Sequence, residues 1–63
     1  MYSLAGIDGN SFAIMGYVSD CMYREKKSKE EVKEFFQKAT SGDYCKLLEI
    51  SQNMIDELNS KAK

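Results

Sequence analysis

The sequence has no histidine, no proline, no tryptophan and only two cysteines in 63 residues. Without histidine, the commonest general base is missing, and so is the commonest metal ligand. Cys21 and Cys45 stand far apart with no partner spaced for a zinc-type site, so no metal and no cofactor is expected. Gly6, Gly9 and Gly16 have the wrong spacing for a P-loop or a dinucleotide fingerprint. No serine or cysteine sits in a nucleophile motif, and neither cysteine has a base to activate it. The carboxylates fall mostly on solvated faces beside lysines. The chain is therefore read as a non-enzyme with no catalytic residues. The lack of proline leaves helical patterns uninterrupted.

A charge surplus is also lacking. Nine Lys+Arg stand against ten Asp+Glu, for a net charge of −1. Nucleic-acid binders usually carry a basic surplus, so nucleic acid is not an expected partner. A helix-turn-helix reader would display basic and amide side chains on its last helix. Here that helix offers Lys46, Glu49, Gln52, Asn53, Asp56 and Glu57, which phosphate would mostly repel. A DNA-associated accessory role therefore ranks last. No apolar run is long enough to span a bilayer, and no basic residue precedes the first apolar segment as in a secretory signal. The expectation is a cytoplasmic chain with reduced thiols and no membrane partner.

At 43% hydrophobic and 30% charged, the chain is globular, a single domain over residues 1–63. A domain this short buries only about 60% of its unfolded surface. Small folds usually add disulfides, a metal or oligomerisation. With metal set aside and one cysteine pair at most, a homo-oligomer is expected, in its simplest form a homodimer.

The chain is organised around Asp8 to Val18. Asp8-Gly9 is a turn dipeptide, and Asn10 or Ser11 can cap the helix that follows. That helix is predicted over about 11–26. At 100° per residue, Ile14, Met15, Val18, Cys21 and Met22 share one broad face. Phe12, Gly16, Ser19 and Tyr23 share a second. Ala13, Asp20 and Arg24 form the remaining sector, with Tyr17 at its edge. A helix apolar nearly all round wants neighbours on two sides. Gly16 between Phe12 and Tyr23 leaves a groove for a close approach. The chain's own segments or a second copy could cover it.

Residues 1–9 read as an extended arm, with Tyr2, Leu4 and Ile7 apolar, lying across the helices or pairing with the same arm of another subunit. The charge run Arg24 to Lys29 reads as a connector that suits a helix C-terminus. Ser28-Lys29-Glu30-Glu31 is a capping box. It opens a helix over about 29–40 with Val32, Phe35, Phe36 and Ala39 in one stripe, stopped near Gly42 as a C′ residue. A last helix is predicted over about 43–59. Tyr44, Leu47, Leu48, Ser51, Met54, Ile55 and Leu58 lie on one face, Cys45 is partly exposed, and the tail from Asn59 frays.

Two candidate sites follow. Phe12, Tyr17 and Tyr23, with Arg24, are candidate anchors for a protein partner, since aromatics and arginine are enriched in interface cores. Alternatively, Asp8, Gly9, Asn10 and Ser11 offer N–H groups at a helix start, an anion site that could hold a nucleotide with the aromatics stacking its base. Ordinary capping accounts for the same residues.

Leu4-Ala5-Gly6-Ile7-Asp8-Gly9-Asn10, Phe12, Met15-Gly16-Tyr17, Ser28-Lys29-Glu30-Glu31, Thr40-Ser41-Gly42-Asp43-Tyr44 and Met54-Ile55-Asp56 resemble short uncharacterised proteins of bacteriophages and bacterial mobile elements. The resemblance runs over most of the chain and brings no site residues with it. It implies a context in which very small proteins act by binding: inhibiting a host enzyme, blocking a defence complex or sequestering a nucleotide. The combined expectation is an all-α, small three-helix domain with an N-terminal extended arm, homodimeric, binding a host or defence protein in a bacterial cell.

Overall fold

The structure is a computed structural model that describes residues 2–61. These residues form three helices and no strand: α1 (Ser11–Arg24), α2 (Lys29–Thr40) and α3 (Tyr44–Lys61). The fold is all-α, as expected.

Each helix begins where its capping chemistry places it. Asn10 is the N-cap of α1, its side-chain oxygen accepting from the Phe12 N–H at 2.8 Å. The capping box of α2 is complete. The Glu31 N–H donates to Ser28 Oγ at 3.2 Å, and the Ser28 N–H donates to Glu31 Oε2 at 2.9 Å. Asp43 accepts from the Lys46 N–H at 2.9 Å, which starts α3.

The helix ends are less regular. α1 stops at Arg24, two residues before the predicted boundary, because Lys26 takes a left-handed φ of 64°. The Lys26 N–H then bonds the Tyr23 carbonyl and the Lys27 N–H bonds the Met22 carbonyl, both at 3.0 Å. This is the Schellman arrangement, usually built on glycine. α2 stops at Thr40 with Ser41 as its C-cap, and the Ser41 N–H reaches back to the Lys38 carbonyl at 3.3 Å. Gly42 follows without a positive φ. α3 does not fray at Asn59: helix continues through Lys61, and Ala62 and Lys63 lie outside the described residues.

The helices run up, down and up. At one end the Tyr44 hydroxyl donates to the Gly9 carbonyl, joining the starts of α3 and α1. At the other, Lys27 just past α1 pairs with Glu57 late in α3 at 2.9 Å. α3 is the shared support, since α1 and α2 pack on it more than on each other. The core is Ile14, Met15, Val18, Cys21 and Met22 from α1, Val32, Phe35 and Ala39 from α2, and Leu47, Ile55 and Leu58 from α3. Three residues of the predicted stripes lie at its rim instead: Phe36, Tyr44 and Leu48 are exposed. Ser51 is wholly buried, and its hydroxyl has no hydrogen-bond partner among the described residues.

The N-terminal segment is not extended throughout, and residue 1 of the predicted arm lies outside the described residues. The Ile7 N–H turns back to the Leu4 carbonyl at 3.1 Å, with Gly6 at φ 83°. A positive φ at the third residue is the type II signature, and only glycine holds it without strain. Tyr2, Leu4 and Ile7 pack against the core. A lone segment must find partners for its backbone, and here a side chain supplies them. Asn59 accepts from the Tyr2 N–H at 2.8 Å and donates to the Tyr2 carbonyl at 2.9 Å. The Tyr2 hydroxyl donates to Glu25 at 2.5 Å, so this one residue ties α1 to α3.

Candidate interaction face on the first helix

α1 carries two apolar faces, and the protomer covers one of them. On the inner face, Val18 and Met22 are fully buried. On the outer face, Phe12 is 79% exposed and Tyr23 is 51% exposed. Gly16 lies between them, and a side-chain carbon added there would meet nothing within 4 Å. Glycine inside a helix costs about 1 kcal/mol relative to alanine. Nothing within the described residues requires that cost. Ser19, which the sequence groups with them, is buried, its hydroxyl turned back to the Gly16 carbonyl at 2.9 Å.

On α2, Glu31, Glu34 and Lys38 line the groove with α3, and Phe36 is 36% exposed. Phe12 and Tyr23 stand on one helix, so their face is held by regular backbone rather than by a loop.

The predicted anchors divide. Phe12 and Tyr23 are on this face, and Arg24 is exposed at the end of α1. Tyr17 is not a free anchor. It is half-buried against the core, and its hydroxyl accepts from the Ser3 N–H at 3.0 Å. It also supports Cys21, whose thiol burial pushes up, the Tyr17 hydroxyl offsetting part of that effect. The three aromatics thus do not form one stacking cluster. Phe36 shares the predicted stripe because it lies one turn from Val32, yet it is exposed, and its wide angle from Phe35 is the signal in the sequence.

The residues of the ligand reading sit together but are engaged with each other. Asp8 accepts from the Asn10 N–H at 3.1 Å, and Asn10 accepts from the Phe12 N–H. The Gly9 carbonyl takes the Tyr44 hydroxyl. Ser11 is half-buried and borders a shallow hollow with Asp43 and Tyr44. Two N–H groups at this turn are occupied by capping. Two carboxylates, Asp8 and Asp43, border the turn and the hollow, and they oppose an anion.

Sequence reasoning did not single out the groove between α2 and α3. It encloses about 380 Å³ over a floor of Met22, Phe35, Ile50 and Met54. Its rim mixes Lys27, Lys38, Glu31, Glu34 and Glu57, with Lys38–Glu34 paired at 3.2 Å and Lys27–Glu57 at 2.9 Å. Such a rim selects no charge of ligand. Both cysteines are free thiols, Cys21 buried and Cys45 exposed. Among the described residues, no group of three or more carboxylates and thiols is placed to hold a metal, and no helix is long and apolar enough to cross a membrane.

Comparison with known protein families, with characterised proteins and with solved structures finds no match to this chain.

Proposed function

We propose that this chain is a small non-enzymatic binding module that grips a protein partner through the α1 face that carries Phe12 and Tyr23. The observation that carries the reading is Phe12, 79% exposed on a regular helix beside an open Gly16. A large ring left in water on the same helix face as a second exposed ring is the pattern of an interaction surface. Such rings dominate the affinity of interfaces when a partner desolvates them. Arg24 at the edge of the face would add a charged contact. The resemblance to small phage and mobile-element proteins supplies the context: an inhibitor of a host or defence protein, acting in the cytoplasm of a bacterial cell. A nucleotide-sequestering role at Asp8–Ser11 finds less support, because that turn uses its own polar groups.

The test compares the wild-type chain with the Phe12→Ser/Tyr23→Ser double variant. Each is crosslinked in bacterial cells and the adducts are identified by mass spectrometry. The reading expects a partner whose yield falls at least tenfold in the double variant, with an unchanged helical circular-dichroism spectrum. A partner retained at wild-type yield would place binding elsewhere, on the α2–α3 groove first.

A further inference from the structure

The N-terminal segment crosses between α1 and α3 at the level of Cys21. Tyr17 and Glu25 stand one helical turn before and one turn after Cys21. The Ser3 N–H donates to the Tyr17 hydroxyl, and the Tyr2 hydroxyl donates to Glu25. From α3, the Asn59 amide holds the Tyr2 backbone by both its N–H and its carbonyl. Tyr2 and Ser3 thus bridge the two turns that flank Cys21, which is only 2% exposed. We infer that residues 2–7 are a latch, which opens as one unit while the three helices stay folded and so uncovers Cys21 and the seam around it.

Several observations set the latch apart from the helices. Each helix places residues fully in the core, whereas none of residues 2–7 is fully buried. Tyr2, Leu4 and Ile7 are only half-covered against that core. Among the described residues, the segment's hydrogen bonds to the helices run through the side chains of Asn59, Glu25 and Tyr17, with no backbone ladder. A segment with so few buried contacts opens at a fraction of the global free energy. Its release also has a defined stop. The Tyr44 hydroxyl holds the Gly9 carbonyl, and Asp8 accepts from the Asn10 N–H, so residues 8–10 stay with the start of α1. Within the latch, the turn from Leu4 to Ile7 about Gly6 links its two halves. Burial pushes the Cys21 thiol up, so the closed latch withholds the reactive thiolate as well as access to it. The latch makes none of its contacts through Phe12 or Tyr23, so it stands independently of the binding face on α1.

The test follows iodoacetamide labelling of Cys21 in the full chain carrying Cys45→Ser, from zero urea through the unfolding transition. Labelling without urea should be at least tenfold slower than for the same thiol in the urea-unfolded chain. Below the transition, its urea dependence should be much shallower than that of global unfolding, because opening the latch exposes little surface. Asn59→Ala removes two of the latch's hydrogen bonds and should speed labelling at least tenfold. Gly6→Val acts on the latch alone: its side chain meets nothing within 4 Å, but φ 83° strains it, and labelling should speed up about tenfold. Val32→Ala cuts the core from α2, which carries none of these latch bonds. It should lower the urea midpoint and leave labelling below the transition unchanged. Labelling of Cys21 at the unfolded-chain rate would overturn the inference. So would labelling that follows the global urea slope and speeds up in Val32→Ala, since the thiol would then be reached only by unfolding. Wild-type labelling rates in both Gly6→Val and Asn59→Ala would equally overturn it.

Discussion

The two faces of α1 are made of similar residues and have opposite fates. Ile14, Met15, Val18, Cys21 and Met22 disappear into the core, none more than 7% exposed. Phe12 and Tyr23, on the same helix, stay in water. Hydropathy alone does not separate them, since both faces are apolar. Geometry does: α2 and α3 cover one arc of α1, and Tyr2, Leu4 and Ile7 cover the next, which leaves the Phe12–Tyr23 arc open. The inner face is accounted for by folding. On the outer one Ser19 is buried, but Phe12, Gly16 and Tyr23 stay exposed, and these are the place to look for function.

The largest effect is expected from cutting the core that all three helices share. Leu58 is fully buried, and Leu58→Ala should cost about 2–5 kcal/mol. That is a large share of the roughly 5 kcal/mol available to so small a domain, so urea melts should show a largely unfolded variant at 37 °C. If Leu58→Ala proved nearly neutral, the described packing would be wrong.

A smaller effect of opposite sign is expected where α1 ends. Lys26 holds a left-handed conformation that costs a residue with a β-carbon about 1 kcal/mol. Lys26→Gly should raise stability by about that amount, read from the urea midpoint. A loss instead would mean that the turn does not need φ 64°. Ser51→Ala should also stabilise, by up to about 1 kcal/mol, because it removes a buried hydroxyl without a partner.

The smallest effect concerns the N-terminal strap. The Tyr2 hydroxyl donates to Glu25, and this bond, followed by burial and the Glu25 charge, raises its pKa above the usual tyrosine value of 10.0. The folded state thus favours the protonated phenol. Its contribution is fully present below pH 10 and lost as pH rises through the elevated value. Tyr2→Phe should lower stability slightly and evenly below pH 10 and remove the fall that wild type shows above it. An identical alkaline profile would show that the bond does not hold the segment.

Much of the fold was legible because helix starts carry local chemistry. Ser28 with Glu31, Asn10 and Asp43 each mark a start within their own turn, and the structure uses all three. Ends were harder. Lys26 bends left-handed with no glycine to announce it, so the α1 boundary was set two residues late. The N-terminal segment was read as an extended arm because its real partners are distant. The amide that satisfies Tyr2 belongs to Asn59, at the far end of the chain. Helical periodicity also tells which residues share a face but not how wide a neighbour's cover is. Phe36, Tyr44 and Leu48 sit at the margins of that cover, and Tyr17 sits just inside it. For the candidate site, Phe12, Gly16 and Tyr23 are visible in the sequence as a second face, whereas the burial of Ser19 in the same row needed the packed structure.

The exposed rings Phe12 and Tyr23 contribute nothing to the protomer's own stability. The most direct test is the urea midpoint of Phe12→Ser/Tyr23→Ser, measured dilute enough that any dimer is dissociated. The account expects a free energy of unfolding within about 0.5 kcal/mol of wild type, the usual range for surface changes. A loss of about 2 kcal/mol or more would contradict it and return both rings to the core.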